Sequence, residues 1–290
     1  MPEDQGYVQF QKTVQRLIGV DLTSYRQGQM RRRLDALVQR VGAKGYGDYA
    51  KLLERDPARV QEFRDYFTIN VTEFFRDVDR FRFLEQRVLP SLLEKRTALK
   101  VWSAACSIGA EPYSVAILLR ELAPTLPHKV LSTDVDVTIV ERARRADKYI
   151  SAELKNVSPA RLQKAFTQSP DGTYTVRPEV KQLVDIRLHN LLTPPPMQGF
   201  DLILCRNVVI YFTDDAKAVL YQHLVDALRP GGVLFVGGTE MVAAAHQLGL
   251  SSIGPSFYRK EEARVAAPRP FARPAAVPRA PLTRVAAGAR

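Results

Sequence analysis

Polar side chains that follow directly on apolar runs are the first candidates for chemistry, and here they fall into three clusters. The first begins at Trp102-Ser103-Ala104-Ala105-Cys106-Ser107-Ile108-Gly109-Ala110-Glu111-Pro112, where small residues turn from a strand-like run into a helix predicted to carry Pro112 at its first position. Small side chains let a ligand approach the backbone. The second is Thr133-Asp134-Val135-Asp136, about 20 residues further on, the spacing at which an acid meets the hydroxyls of a ribose. Asp134 is therefore the candidate ribose ligand, and Asp136 is the candidate N-cap because Val137 begins the next helix. The third is Cys205-Arg206-Asn207-Val208-Val209-Ile210-Tyr211-Phe212, which places Arg206, Asn207 and Tyr211 just beyond another apolar run. Neither G-x-G-x-x-G nor G-x-x-x-x-G-K-[ST] occurs, which disfavours a dinucleotide or a nucleoside triphosphate.

These clusters need a scaffold that brings strand ends together. Strand-like segments at 99–104, 129–133, 184–187, 200–205 and 232–236, with a last one near 257–259, alternate with helical patterns at 112–123, 137–145 and 216–229. That alternation predicts a parallel sheet covered on both faces, with ligands held beyond the carboxyl ends of the strands. Leu228-Arg229-Pro230-Gly231-Gly232 reads as a tight turn into the fifth strand. Between 149 and 187 the rhythm is interrupted by a helical stretch and by Ser169-Pro170-Asp171-Gly172 flanked by strand formers, which reads as an inserted β-hairpin.

The first 75 or so residues are helical in pattern and form a small domain ending near Arg76. Over 24–41, Met30, Leu34, Leu37, Val38 and Val41 share one face, and Gly42 follows as a C-cap. Arg26, Arg33 and Arg40 recur at seven-residue steps and flank that face, a pattern that on an arbitrary helix is ordinarily a solvated stripe. Helical periodicity stops again at Asn70-Val71-Thr72-Glu73-Phe74-Phe75-Arg76 and resumes after Asp77.

Composition excludes several classes. No apolar run reaches the ~20 residues of a bilayer span, and the amino terminus lacks the features of a secretory signal, so a cytoplasmic protein without membrane insertion is expected. Two cysteines without metal-ligand spacing and four scattered histidines predict neither metal nor disulfide. The formal charge of +11 invites a nucleic-acid reading, but six arginines lie in the Ala/Pro/Arg-rich segment from Ala263, and removing them leaves +5 for residues 1–262. That segment is expected to be a disordered tail.

Residues 1 to about 262 resemble the CheR family, the chemoreceptor glutamate methyltransferases. The likeness rests on Asn70-Val71-Thr72-Glu73-Phe74-Phe75-Arg76, on Trp102 to Ser107 with Gly109 and Glu111-Pro112-Tyr113-Ser114, on Asn190-Leu191-Leu192, and on Cys205 to Phe212, in that order. It implies an α/β fold: a Rossmann-like class I methyltransferase sheet (76–262) with an N-terminal all-α domain (1–75) and a small inserted β-subdomain at about 150–187. It implies S-adenosyl-L-methionine as cofactor, with S-adenosyl-L-homocysteine as product, bound by Asn70, Thr72, Arg76, Glu111, Asp134, Asn190, Leu191, Arg206 and Asn207. Arg76 and Tyr211 would lie nearest the transferred methyl. The implied substrate is glutamate on the cytoplasmic helical bundle of chemoreceptors, whose acidic surroundings make Arg26, Arg33 and Arg40 expected substrate contacts. The chain departs from a common family pattern at Ala110, where many relatives carry a second glutamate. Its loop at 169–173 is shorter than in relatives that tether to a receptor's C-terminal pentapeptide, so tether-independent binding by a monomer is expected. An RNA methyltransferase or a non-catalytic S-adenosylmethionine sensor would share the pocket.

Overall fold

The computed structural model describes residues 5–68 and 72–262; Asn70 and the tail from Ala263 lie outside the described residues. Four helices come first: α1 (Gln5–Ile18), α2 (Gln27–Arg40), α3 (Tyr46–Arg55) and α4 (Pro57–Phe67). They enclose a core of their own in which Phe10, Leu37, Tyr49 and Phe63 are fully buried. Helix α2 starts later than its periodicity predicts. Residues 24–26 instead pair with the far domain, so that Arg26 stands at the helix N-cap.

A helical rod follows, α5 (Val78–Phe83) and α6 (Leu89–Leu93) joined by a π turn, which buries Phe81, Leu84, Val88 and Leu92. The α/β part then runs β1 (Lys100–Ala104), α7 (Ala110–Leu122), β2 (Lys129–Asp134), α8 (Val137–Arg145), α9 (Pro159–Ala165), β3 (Phe166–Gln168), β4 (Tyr174–Val176), α10 (Pro178–Lys181), β5 (Val184–Leu188), β6 (Phe200–Cys205), α11 (Asp214–Ala227), β7 (Leu228–Val236), β8 (Leu250–Gly254) and β9 (Phe257–Lys260). Seven strands form one sheet in the order β5-β2-β1-β6-β7-β9-β8, while β3 and β4 make the separate hairpin. Strands β5, β2, β1, β6 and β7 are parallel, and β9 and β8 complete the edge antiparallel. The chain leaves β1 toward β2 and later returns on its other side as β6, so the strand order reverses between β1 and β6. A crevice must open at their carboxyl ends. This is a Rossmann-like, doubly wound arrangement with an antiparallel edge.

Three local expectations are corrected. Helix α7 begins at Ala110, two residues before Pro112, because the first-turn N–H groups have no intrahelical partner and proline costs nothing there. The predicted turn before the fifth strand is the bulged start of β7, whose register shifts opposite Phe200 and Leu202 with Gly231 at φ +75°. Strand β8 was not expected, since Leu-Ser-Ser-Ile-Gly has few strand formers. It forms because β9 offers an unpaired edge, and its Gly254 passes so close to Phe83 that a Cβ would sit 2.6 Å from the ring.

Candidate active site

At the reversal point lies a cavity of about 1100 Å³, counting the space at its open mouth. The turn after β1 forms its floor. Ala105 (φ 64°), Ser107 (φ 50°) and Gly109 (φ 89°) all take left-handed backbone there, a conformation held against its intrinsic cost only where packing dictates it. At Gly109 no side chain fits, because a Cβ would lie 2.9 Å from Tyr113 and 3.2 Å from Ala143. The Ser107 N–H donates to Asp134 Oδ2 at 2.8 Å, which ties this turn to the end of β2.

Asp134 also accepts the N–H of Asp136 at 3.1 Å, and each carboxylate oxygen retains a lone pair for a ligand. Burial pushes its pKa up, against the lowering effect of the Ser107 and Asp136 N–H groups. Asp136 caps α8 as its position predicts, accepting from the N–H groups of Thr138 (2.9 Å) and Ile139 (3.3 Å). Its other oxygen accepts from the hydroxyl of Thr68, at the end of α4.

Glu111, in the first turn of α7, accepts from Ser103 Oγ at 2.7 Å and from Arg206 Nη1 at 3.0 Å. Its pKa is raised by burial, with the Arg206 charge opposing. Arg206 is itself buried, and it also reaches Asp77 Oδ2 at 2.7 Å and the Arg76 carbonyl at 2.9 Å while lying over the rings of Phe235 and Phe81. One guanidinium thus locks the end of β6, the start of α7 and the segment bearing Arg76 together. The two acids keep its charge from being stranded in a low-dielectric site.

Thr72, Arg76, Glu111, Asp134, Asn190, Leu191, Arg206, Asn207 and Tyr211 all line this one cavity. Asn190 uses its amide to donate to the Gly19 carbonyl (3.0 Å) and to accept from Leu192 N–H (3.0 Å), so its side chain braces the wall. Of the three arginines expected along the flank of the buried face, Arg33 lines the cavity. Its guanidinium donates to the Tyr66 carbonyl and sits over the Tyr66 ring, which Arg40 also covers at 4.8 Å. Arg40 pairs with Glu62 (3.1 Å) and Arg26 with Asp214 (3.6 Å), so the stripe is engaged rather than simply solvated.

Sequence reasoning missed the apolar side of the cavity, built from Tyr25, Met30, Phe67, Val135 and Phe212. Its organiser is a short antiparallel bridge: Arg26 N–H donates to the Tyr211 carbonyl (2.9 Å) and Thr213 N–H to that of Ser24 (2.8 Å). Tyr25 then sets its ring between Phe67, met edge to face, and Phe212, met at a tilt. A pairing between residues this distant in the chain leaves no periodic signal.

Buried carboxylates, amides and an aromatic wall at strand ends suit a ligand with hydroxyls, an amino group, a flat base and a positive centre. Comparison with known sequences decides the identity. Residues 70–254 match the family described as CheR methyltransferase, SAM binding domain, and residues 5–68 match CheR methyltransferase, all-alpha domain. The chain belongs to the CheR methyltransferase family. It is 40% identical over 258 residues to the chemotaxis protein methyltransferase of Listeria innocua, covering 89% of this chain and 98% of that one. It is 32% identical over 241 residues to chemotaxis protein methyltransferase 1 of Pseudomonas aeruginosa, covering 80% and 88%. This CheR-family chain is thus an S-adenosylmethionine-dependent chemotaxis methyltransferase. Among the described residues no helix is long and apolar enough to cross a membrane.

Proposed function

We propose that this CheR-family chain transfers the methyl group of S-adenosylmethionine to glutamate side chains on the cytoplasmic helical bundle of chemoreceptors, forming methyl esters. What carries the reading is the cavity itself, which two carboxylates held largely out of water, Glu111 and Asp134, line together with Arg76 and Tyr211. Asp134 accepts from the ribose hydroxyls, Glu111 and Arg206 form the end that meets the amino acid moiety, and Thr72, Asn190, Leu191 and Asn207 complete the enclosure. Asn70 belongs to the same motif but lies outside the described residues. The bound cofactor supplies an activated methyl.

The protein's own task is then positional. A glutamate carboxylate has an ordinary pKa of ~4.3 and is already ionised at neutral pH, so no general base is required. Arg76 and Tyr211 orient that carboxylate and shield the site from water. Tyr211→Phe is expected to lower kcat about tenfold, the worth of one hydrogen bond to a charged group, without adding an ionisation to the pH–rate profile. A new ionisation would show that Tyr211 exchanges a proton and would refute the orienting role.

Arg26, Arg33 and Arg40 attract the acidic helices around the target glutamates. Charge reversal at Arg33 and Arg40 should raise KM for the receptor about fivefold and flatten its salt dependence. Because Arg33 also lines the cavity, affinity for S-adenosylhomocysteine is measured in parallel. Unchanged kinetics would remove these residues from the substrate contact. The inserted hairpin closes through Ser169 N–H to Thr173 O (2.8 Å) with Gly172 at φ +82°, and this tight turn supports binding without a pentapeptide tether.

Incubation with methyl-labelled cofactor and a receptor cytoplasmic fragment, followed by alkali, tests the assignment. Volatile methanol marks a carboxyl ester and supports it. Base-stable label, or label on RNA instead, would overturn it, as would tight cofactor binding with no transfer at all.

A further inference from the structure

We infer that Glu240, which belongs to none of the family motifs quoted above, is the positioning residue that sets the cofactor-facing loop 206–211. Glu240 follows β7 and is only 6% exposed. No ion pair reaches it among the described residues. Its carboxylate is satisfied by backbone instead: Oε2 accepts the N–H groups of Gly237 (2.7 Å) and Asn207 (2.9 Å), and Oε1 accepts that of Val209 (3.0 Å). Charge-assisted bonds of this kind are the strong ones, and a buried acid without them would be costly.

Two of those three donors belong to the loop that lines the cavity. Asn207 stands in left-handed backbone (φ 58°), and Val209 opens the short turn Val209–Tyr211. Glu240 therefore fixes the first half of the loop from the sheet side, just as the bridge to residues 24–26 fixes its second half from the helical side. Gly237 shows how closely the clamp is fitted. A Cβ there would lie 2.5 Å from Glu240 Oε2 and 3.0 Å from the Asn207 nitrogen.

A buried acid can also serve the fold alone, and the protein contains such a case. Asp201 is 4% exposed at the opposite end of the sheet, where it accepts from Lys100 N–H (2.7 Å) and pairs with Arg229. It makes the proper control. The inference rests on the cavity being the S-adenosylmethionine site, so binding of S-adenosylhomocysteine by the wild-type chain is measured first, by calorimetry. Glu240→Gln, which sets an amide N–H against a backbone N–H, should raise the Kd about tenfold or more. Asp201→Asn should lower the melting midpoint while leaving the Kd within twofold. If Glu240→Gln does not fold, Gly237→Ala, which drives a methyl into the same clamp, carries the same expectation. Binding by the Glu240 or Gly237 variant within twofold of wild type, or an equal loss in Asp201→Asn, would overturn the positioning role. Absence of binding by the wild-type chain would overturn the site reading along with it.

Discussion

Replacing Arg206 by methionine should cost about 3–5 kcal/mol of folding stability, the usual penalty for stranding the partner of a buried ion pair, and should abolish cofactor binding. The side chain of Arg206 is 2% exposed and that of Glu111 12%, so Glu111 would remain as a largely enclosed acid supported, among the described residues, by Ser103 alone. Burial already holds the Glu111 pKa up with Arg206 opposing, so losing Arg206 raises it further. A methionine keeps the packing against Phe81 and Phe235, which separates the loss of charge from the loss of volume. Arg206→Lys keeps the charge but cannot reach Glu111, Asp77 and the Arg76 carbonyl at once, so it should recover less than half of the lost stability. Chemical denaturation of the variants checks both values, and a stability within about 1 kcal/mol of wild type for Arg206→Met would refute the view that this guanidinium holds the site together.

Asp134→Ala should weaken binding of S-adenosylhomocysteine about 100-fold or more, because two hydrogen bonds to a charged acceptor are lost, each worth roughly 1.5–3 kcal/mol. The pH dependence provides a second signature. Burial raises the pKa of Asp134 above the ordinary carboxylate range, and the ionised form is the one that accepts hydroxyl donors. Affinity should therefore fall as pH drops through that raised pKa, beginning at a higher pH than a free aspartate would allow. The sign for the ligand-free fold is opposite. A carboxylate whose folded pKa is raised adds stability below its unfolded pKa, and this is lost as pH rises through the folded value. Acidification thus favours the empty protein at Asp134 while it disfavours the complex. Asp134→Asn should flatten the affinity profile in calorimetric titrations taken over a series of falling pH, and an unchanged profile would assign the titration elsewhere.

The strands, the helices and the place of the crevice were legible because local pattern sets them. Asp136 caps α8 through N–H groups two and three residues on, and Asp134 accepts the N–H of Asp136, so both positions could be read from local pattern, although Asp134 also takes the distant Ser107 N–H and Asp136 the Thr68 hydroxyl. The carboxyl ends of β1, β2 and β6 could likewise be found from periodicity, and with them the crevice. What could not be found depends on contacts distant in sequence. Tyr25 enters the cavity only because residues 24–26 pair with 211–213, and local pattern placed Ser24 and Arg26 inside a helix. Seven-residue spacing puts Arg33 on a stripe flanking the buried face, but its bond to the Tyr66 carbonyl, 33 residues away, and its place in the cavity wall leave no sign in that spacing. Glu240 gave no signal, because its partners are backbone N–H groups that any residue supplies. Strand β8 was missed for a related reason: its edge is provided by β9, while its own serines and glycine favour a loop.

The central claim is that the crevice between β1 and β6, closed by residues 25–33 and 72–76, is where the methyl donor binds. A crystal structure with S-adenosylhomocysteine tests it most directly. The expected result is the ribose on Asp134, the sulfur end toward Arg76 and Tyr211, and the base against Tyr25 and Phe67. Product bound away from Asp134, or a crevice left empty under saturating product, would contradict the account.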